Sequence, residues 1–116
     1  MESSIISEKS KTFAIRIINL NKYLRTEHKE FVLSNQILKS GTSIGANVRE
    51  ARRGQSSADF ISKLSISLKE ADETQYWLEL LYETNYISDK EFISLNKDCE
   101  ELIKILVSII KTTANQ

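Results

Sequence analysis

The sequence predicts an all-α protein, an antiparallel up-down-up-down four-helix bundle, and three observations carry that expectation. Apolar residues recur at steps of three and four through four separate segments. The 116 residues include no proline and only three glycines, so nothing interrupts long helices. The segments are joined by short polar stretches, and short connections place consecutive helices side by side in opposite directions. One domain over residues 1–116 is expected, a length at which about two-thirds of the unfolded chain's surface can be buried.

In the first segment Phe13, Ile17, Leu20 and Leu24 form the stripe, Ala14, Ile18 and Tyr23 widen it, and the charges fall opposite. The polar run Thr26-Glu27-His28-Lys29-Glu30 reads as the turn into the second segment. There Ile37, Gly41, Ile44, Val48 and Ala51 repeat at four-three-four-three spacing, with Gly54 expected as the C-terminal stop. Gly41 and Gly45 stand four apart, and each costs a helix interior about 1 kcal/mol relative to alanine. The simplest compensation is the close approach of another helix, over a surface also shaved by Ser40, Ser43 and Ala46.

A Gly-Gln-Ser-Ser hinge leads to the third segment, where Ser56 or Ser57 is the expected N-cap and Asp59 suits the first turn. Its seam is Phe60, Leu64, Ser67, Ala71, Thr74, Leu78 and Leu81. By the ~100° step per residue, Ile66, Trp77 and Leu80 lie about 200–260° from Phe60, which makes a second apolar face suited to a larger core or to another subunit. The fourth segment opens on Ser88-Asp89-Lys90-Glu91, a capping box, and continues through Phe92, Leu95, Cys99, Leu102, Leu106 and Ile109, thickened by Ile103, Ile105, Val107 and Ile110.

Composition narrows the function classes. Hydrophobic residues at 41% and charged residues at 28% fit a globular protein and are too apolar for a disordered one. The single cysteine, Cys99, allows no internal disulfide and fits a reducing cytoplasm. The N-terminal MESSIISEKSK has no basic-then-apolar leader pattern. The densest apolar stretch, Leu102 to Ile110, falls far short of the ~20 residues that cross a bilayer. A cytoplasmic protein without a membrane partner is therefore expected. Net charge is zero, but residues 1–69 hold 12 Lys/Arg against 6 Asp/Glu, and residues 70–116 hold 4 against 10. That asymmetry suits an anionic ligand on the front half, a heterologous contact between subunits, or neutralisation between helices of one subunit.

No residue set points to catalysis. Glu50, Glu70 and Glu73 could approach one another, but a carboxylate-bridged metal pair in a bundle also needs two Glu-x-x-His motifs, and His28 is the only histidine. No metal, no cofactor and no enzymatic activity are expected, since there is also no glycine-rich phosphate loop and no serine with a histidine base in pattern. Asn47, on the shoulder of the second stripe, reads first as a polar contact that sets helix register, with Glu50 or a backbone group as partner. Cys99 sits on an apolar seam as a small hydrophobe. The candidate binding feature is a basic corner of Lys39, Arg49, Arg52 and Arg53. Its three arginines project from one side of a helix and could span successive phosphates, or could simply complement the helix dipole.

Several stretches resemble a known family. Ser10-x-x-Phe13-Ala14-x-Arg16-Ile17 and Tyr23-Leu24 are followed by Gln36-x-Leu38-x-Ser40-Gly41-Thr42-Ser43-Ile44-Gly45-Ala46-Asn47. Beyond these come Glu50-Ala51, Asp59-Phe60, Lys63-Leu64, Lys69-Glu70-Ala71, Glu73-Thr74 and Trp77-Leu78. Over nearly the whole length the chain resembles the bacterial 23S rRNA intervening-sequence proteins, also called S23-type. The resemblance implies a small up-down bundle assembling into a ring-like homo-oligomer, a pentamer. A related family serves retroelements as a nucleic-acid-binding accessory to reverse transcriptase. Two functions follow as expectations. The first is binding of structured RNA or a ribonucleoprotein through Lys39, Arg49, Arg52 and Arg53. The second is a scaffold that recruits a protein partner, with its arginines engaged between subunits. In either case Gly41, Gly45, Asn47, Glu50, Glu70, Glu73, Ile66, Trp77 and Leu80 are the structural or interface set.

Overall fold

Helix ends in this chain fall where a side chain or a turn satisfies the open backbone groups. The structure, a computed structural model, describes residues 2–116, with side chains from residue 5 onward. Met1 and the side chains of residues 2–4, part of the segment weighed above as a leader, lie outside that description. Four helices and no strand are found among the described residues: α1 (Glu2–Glu27), α2 (Val32–Ala51), α3 (Ser57–Glu83) and α4 (Asp89–Ala114).

Between α1 and α2 the chain turns through Lys29, at φ 52°, and the Glu30 carboxylate accepts from the N–H groups of Leu33 and Ser34 at 3.1 and 2.8 Å. A side chain outside the helix thus supplies the acceptor that Phe31 at the N-cap position lacks. Ser56 caps α3, its hydroxyl accepting from the Asp59 N–H at 3.1 Å. Ser88 and Glu91 form the expected capping box of α4. Asn85, at φ 69°, ends α3 in a Schellman turn: the Tyr86 N–H donates to the Leu81 carbonyl at 2.9 Å and the Asn85 N–H to Tyr82 at 3.1 Å.

Gly54 departs from expectation. No glycine has positive φ, and α2 stops at Ala51 with Arg52 still in right-handed helical geometry. A Cβ at Gly54 would lie 3.1 Å from the Ala51 carbonyl oxygen and 3.3 Å from both Asp59 Cβ and Phe60 N. The glycine lets the hinge fold tightly onto the start of α3, and a left-handed stop is not its role.

All four apolar seams are buried where their spacing predicts. Ile37, Gly41, Ile44, Val48 and Ala51 are buried on α2, and Leu64, Ser67, Ala71, Thr74, Leu78 and Leu81 on α3. Leu95, Cys99, Leu102, Leu106 and Ile109 are buried on α4, while Phe60 and Phe92 are half-buried against the core. On α1 the stripe of Phe13, Ile17, Leu20 and Leu24 extends back through Ile6 and Ser10, whereas Ile18 and Tyr23 stay exposed. That stripe is therefore longer and narrower than its apolar residues alone suggested.

Each helix packs on two others: α1 on α2 and α4, and α3 on α2 and α4. Pairs along the α1–α2 seam progress in opposite directions, with Ser10 against Gly45, Ile17 against Gly41, and Asn21 donating to the Ser34 carbonyl at 3.0 Å. The α2–α3 seam behaves likewise: Lys63 reaches Glu50, the Ser67 hydroxyl donates to the Ile44 carbonyl at 2.9 Å, and the Ser40 and Thr74 hydroxyls bond each other at 2.8 Å. Asn21, Ser34, Ser40, Ser67 and Thr74 are buried, and no buried side-chain polar atom is left unpaired among the described residues. Such bonds each contribute about 1 kcal/mol net, but leaving one half unmade costs more, so they penalise any slip of one helix along the next.

The α1–α4 seam is the loosest of the four and carries ion pairs instead. Lys9 meets Glu101 at 3.2 Å, and Arg16 meets Asp98 at 2.6 Å while its Nη2 donates to the Ser94 hydroxyl at 2.9 Å. Part of the front-to-back charge asymmetry is thus neutralised inside one chain.

Gly41 marks a close approach of α1 to α2. A Cβ placed there would lie 2.8 Å from both γ carbons of Ile17, below any normal contact, whereas one at Gly45 would meet the Ser10 hydroxyl at 3.3 Å. Gly41→Ala gains about 1 kcal/mol of helix propensity but incurs about 1–3 kcal/mol of overpacking against a stiff β-branched side chain. Its urea midpoint is expected to fall, while Gly45→Ala, which needs only a small hydroxyl shift, stays near wild type. Equal midpoints for the two variants would contradict the asymmetry.

Candidate functional site

The basic residues singled out on α2 are divided by the packing of its neighbours. Lys39 precedes Arg49 by ten residues of continuous helix, about 15 Å along the axis. It belongs instead to the level of Glu70 on α3, whose carboxylate it favours electrostatically. Lys39 is therefore not part of one corner with the arginines, a correction that follows from helix rise alone.

Arg49 and Arg52 border a groove of about 510 Å³ between α1 and α2. Its floor is made of small residues, Ser10 and Ala14 from α1 and Thr42, Gly45 and Ala46 from α2. Arg52 reaches across it, Nη1 to the Ser7 hydroxyl at 3.5 Å. Arg53 opens onto a different groove of about 350 Å³, between the hinge and the start of α3, with Asp59 and Lys63. Lys11, which spacing had not singled out, lines the α1 side of the larger groove. Its i, i+4 relation to Ser7 is visible in the sequence, but the pairing of α1 with α2 is needed to bring it opposite the arginines.

No ion pair engages Lys11, Lys39, Arg49, Arg52 or Arg53 among the described residues. Glu50, the acid nearest to the three arginines in sequence, bonds Lys63 on α3 at 2.9 Å. Arg49 also stands in the last turn of α2, where a cation complements the helix dipole.

The three carboxylates weighed as metal ligands do not converge. Glu50 is held at the Lys63 level, two to three turns from the Lys39 level where Glu70 and Glu73 lie, and no group of three or more His, Cys, Asp or Glu side chains is placed to hold a metal among the described residues. Glu73 accepts from the Trp77 indole N–H at 3.3 Å. Asn47 donates to the Ser43 carbonyl of its own helix at 2.8 Å, so this bond does not set register between helices. The cross-helix bonds of Asn21, Ser67 and Thr74 do that instead. On the second face of α3, Ile66 is 41% exposed, Leu80 is half-buried, and Trp77 packs at the edge of the core with Tyr76 tilted against it, ring centroids 5.2 Å apart.

The Cys99 thiol donates to the Ala71 carbonyl at 3.3 Å, and burial, aided by Asp72, Glu100 and Asp98, pushes it up to about 12. It stays a protonated packing group. His28 is exposed, with Nε2 3.0 Å from the Tyr23 hydroxyl and its ring edge-on to Tyr86. No helix among the described residues is long and apolar enough to cross a membrane.

Partial burial and the neighbouring Glu73 raise the Glu70 carboxyl above its usual 4.5, against the opposing pull of Lys69 and Lys39. The folded state therefore holds this proton more tightly than the unfolded chain. Its stabilising contribution is complete below the unfolded value and is lost as pH rises through the folded one. Glu70→Gln, which keeps the group neutral, is expected to melt above wild type at pH 7, with the gap closing by pH 3. A gap that persists at pH 3 would mean that another cause operates.

These features define a class: a small all-α protein of four helices whose distinguishing surface is a basic groove between two of them. The model of the family described as 23S rRNA-intervening sequence protein matches residues 2–108, and the chain belongs to that family. A crystal structure of a protein of unknown function from the S23 ribosomal protein family of Bacteroides thetaiotaomicron is similar at 58% identity and a TM-score of 0.95, over 96% of this chain and 99% of that one. No curated protein matches.

Proposed function

We propose that this family member is a non-enzymatic, RNA-binding protein of the cytoplasm that grips structured RNA, free or within a ribonucleoprotein, through Arg49 and Arg52. The observation that supports this reading is the pairing of two guanidinium groups on one groove, where Glu50 at the rim is already bonded to Lys63. Guanidinium groups without a carboxylate partner fit phosphate oxygens in fork geometry. Net charge of zero limits long-range attraction, so the reading rests on this local cluster and not on a basic protein as a whole.

The resemblance adds an up-down-up-down bundle working within a ring-like homo-oligomer, a pentamer. The exposed Ile66, and the half-buried Trp77 and Leu80 about three turns further along the same face, support an intersubunit contact on α3. Light scattering at micromolar concentration is expected to give a mass near five times the 13.3 kDa chain; the monomer mass would remove the ring.

The binding reading is tested by fluorescence anisotropy with a labelled RNA hairpin, from low to physiological salt. Each phosphate contact contributes about 0.7–0.9 to the slope of log affinity against log salt, so an Arg49→Ala/Arg52→Ala variant is expected to lose about 1.4–1.8 of slope while remaining folded. An absence of wild-type binding at low salt would overturn this function and leave the protein-recruiting scaffold in its place.

A further inference from the structure

The groove between α1 and α2 has a second charged wall. Lys11 stands one helical turn from Ser7, the residue that Arg52 reaches from α2. Lys11 and Arg52 therefore face the same cleft from opposite helices, with Arg49 beside them.

The floor between those walls offers little that reads a base. No aromatic ring lines the groove, so a base finds nothing to stack on. The Thr42 hydroxyl donates to the Leu38 carbonyl at 2.7 Å and the Ser10 hydroxyl to the Ser7 carbonyl at 3.2 Å, so both donors are already used within their own helices. Among the described residues Glu50 is the one acid at the rim, and it is bonded to Lys63. The ammonium of Lys11 and the two guanidinium groups are the charged donors that remain.

Resting on the RNA reading above, we infer that this groove is a two-walled clamp for one sugar-phosphate strand, in which Lys11 from α1 opposes Arg49 and Arg52 from α2, and that recognition stops at the backbone. Small residues form the floor and allow a phosphate chain to lie between the helices. Cations on both sides hold it, and the groove supplies neither a stacking ring nor a spare hydroxyl donor from Thr42 or Ser10 to favour one base over another.

Two hairpin RNAs of equal stem length and permuted stem sequence distinguish the outcomes, with anisotropy followed over a salt series. Backbone recognition predicts affinities within about threefold of each other, where readout of even one base pair shifts affinity by about tenfold. Lys11→Ala is expected to reduce the salt slope by about 0.7–0.9, and Lys11→Arg to restore it. Lys97→Ala, which removes an equal charge from an exposed position on α4, is expected to leave the slope unchanged. If wild type binds both hairpins but Lys11→Ala keeps the full slope, or the two sequences differ by tenfold or more, the clamp is overturned and the arginine reading survives. If wild type binds neither hairpin at low salt, the RNA reading fails and the clamp fails with it.

Discussion

The contact between Gly41 and Ile17 governs the geometry of the front half of this protein. The space a methyl group would need at position 41 is filled by both γ carbons of Ile17, so α1 and α2 approach more closely there than two ordinary helices could. That approach brings Ser10 onto Gly45 and Ser7 within reach of Arg52. The groove floor is thus made of small residues because the helices meet closely, and the cations at its rim come from side chains that point outward past the contact. Two glycines in a helix interior are unfavourable locally, and packing offsets that penalty where it is most needed.

Buried hydroxyl and amide groups convert this close packing into a defined register. A purely apolar seam tolerates sliding by a helical turn, since one branched aliphatic group replaces another at modest cost. The bonds from Ser67 to the Ile44 carbonyl, between Thr74 and Ser40, and from Asn21 to the Ser34 carbonyl would each be broken by such a slide, leaving polar atoms buried and unpaired. On the looser α1–α4 seam the same role falls to Arg16, which holds Asp98 and Ser94 together. These exposed ion pairs contribute less to stability than the buried bonds do, and they neutralise part of the charge difference between the two halves.

The candidate site follows from what packing leaves unpaired. Lys9, Arg16 and Lys63 are drawn into ion pairs across helices, whereas Lys11, Arg49 and Arg52 remain on a shared groove. Lys63 also pairs with the Glu50 carboxylate at the rim of that groove, which weakens its competition for the arginines. A neutral chain can therefore present a local positive surface without being basic overall.

Much of the fold was legible in the residue order, because helix periodicity is a local property. The seams of α2, α3 and α4, the capping box at Ser88 and the close-approach role of Gly41 could all be read from spacing and residue type. What escaped depends on neighbours distant in sequence. Spacing placed Ser67 on a seam but could not name the Ile44 carbonyl as its acceptor, and it offered Asn47 as a register contact although its bond stays within α2. It grouped Lys39 with the arginines, missed Lys11, and could not separate Arg53 from Arg49, because grooves are formed by pairs of helices. The sequence by itself determined four amphipathic helices, the capping box that opens α4, and the family. Only the tertiary structure decided which cations share a surface, since that depends on how α1 and α3 flank α2, a relation that no single helix encodes.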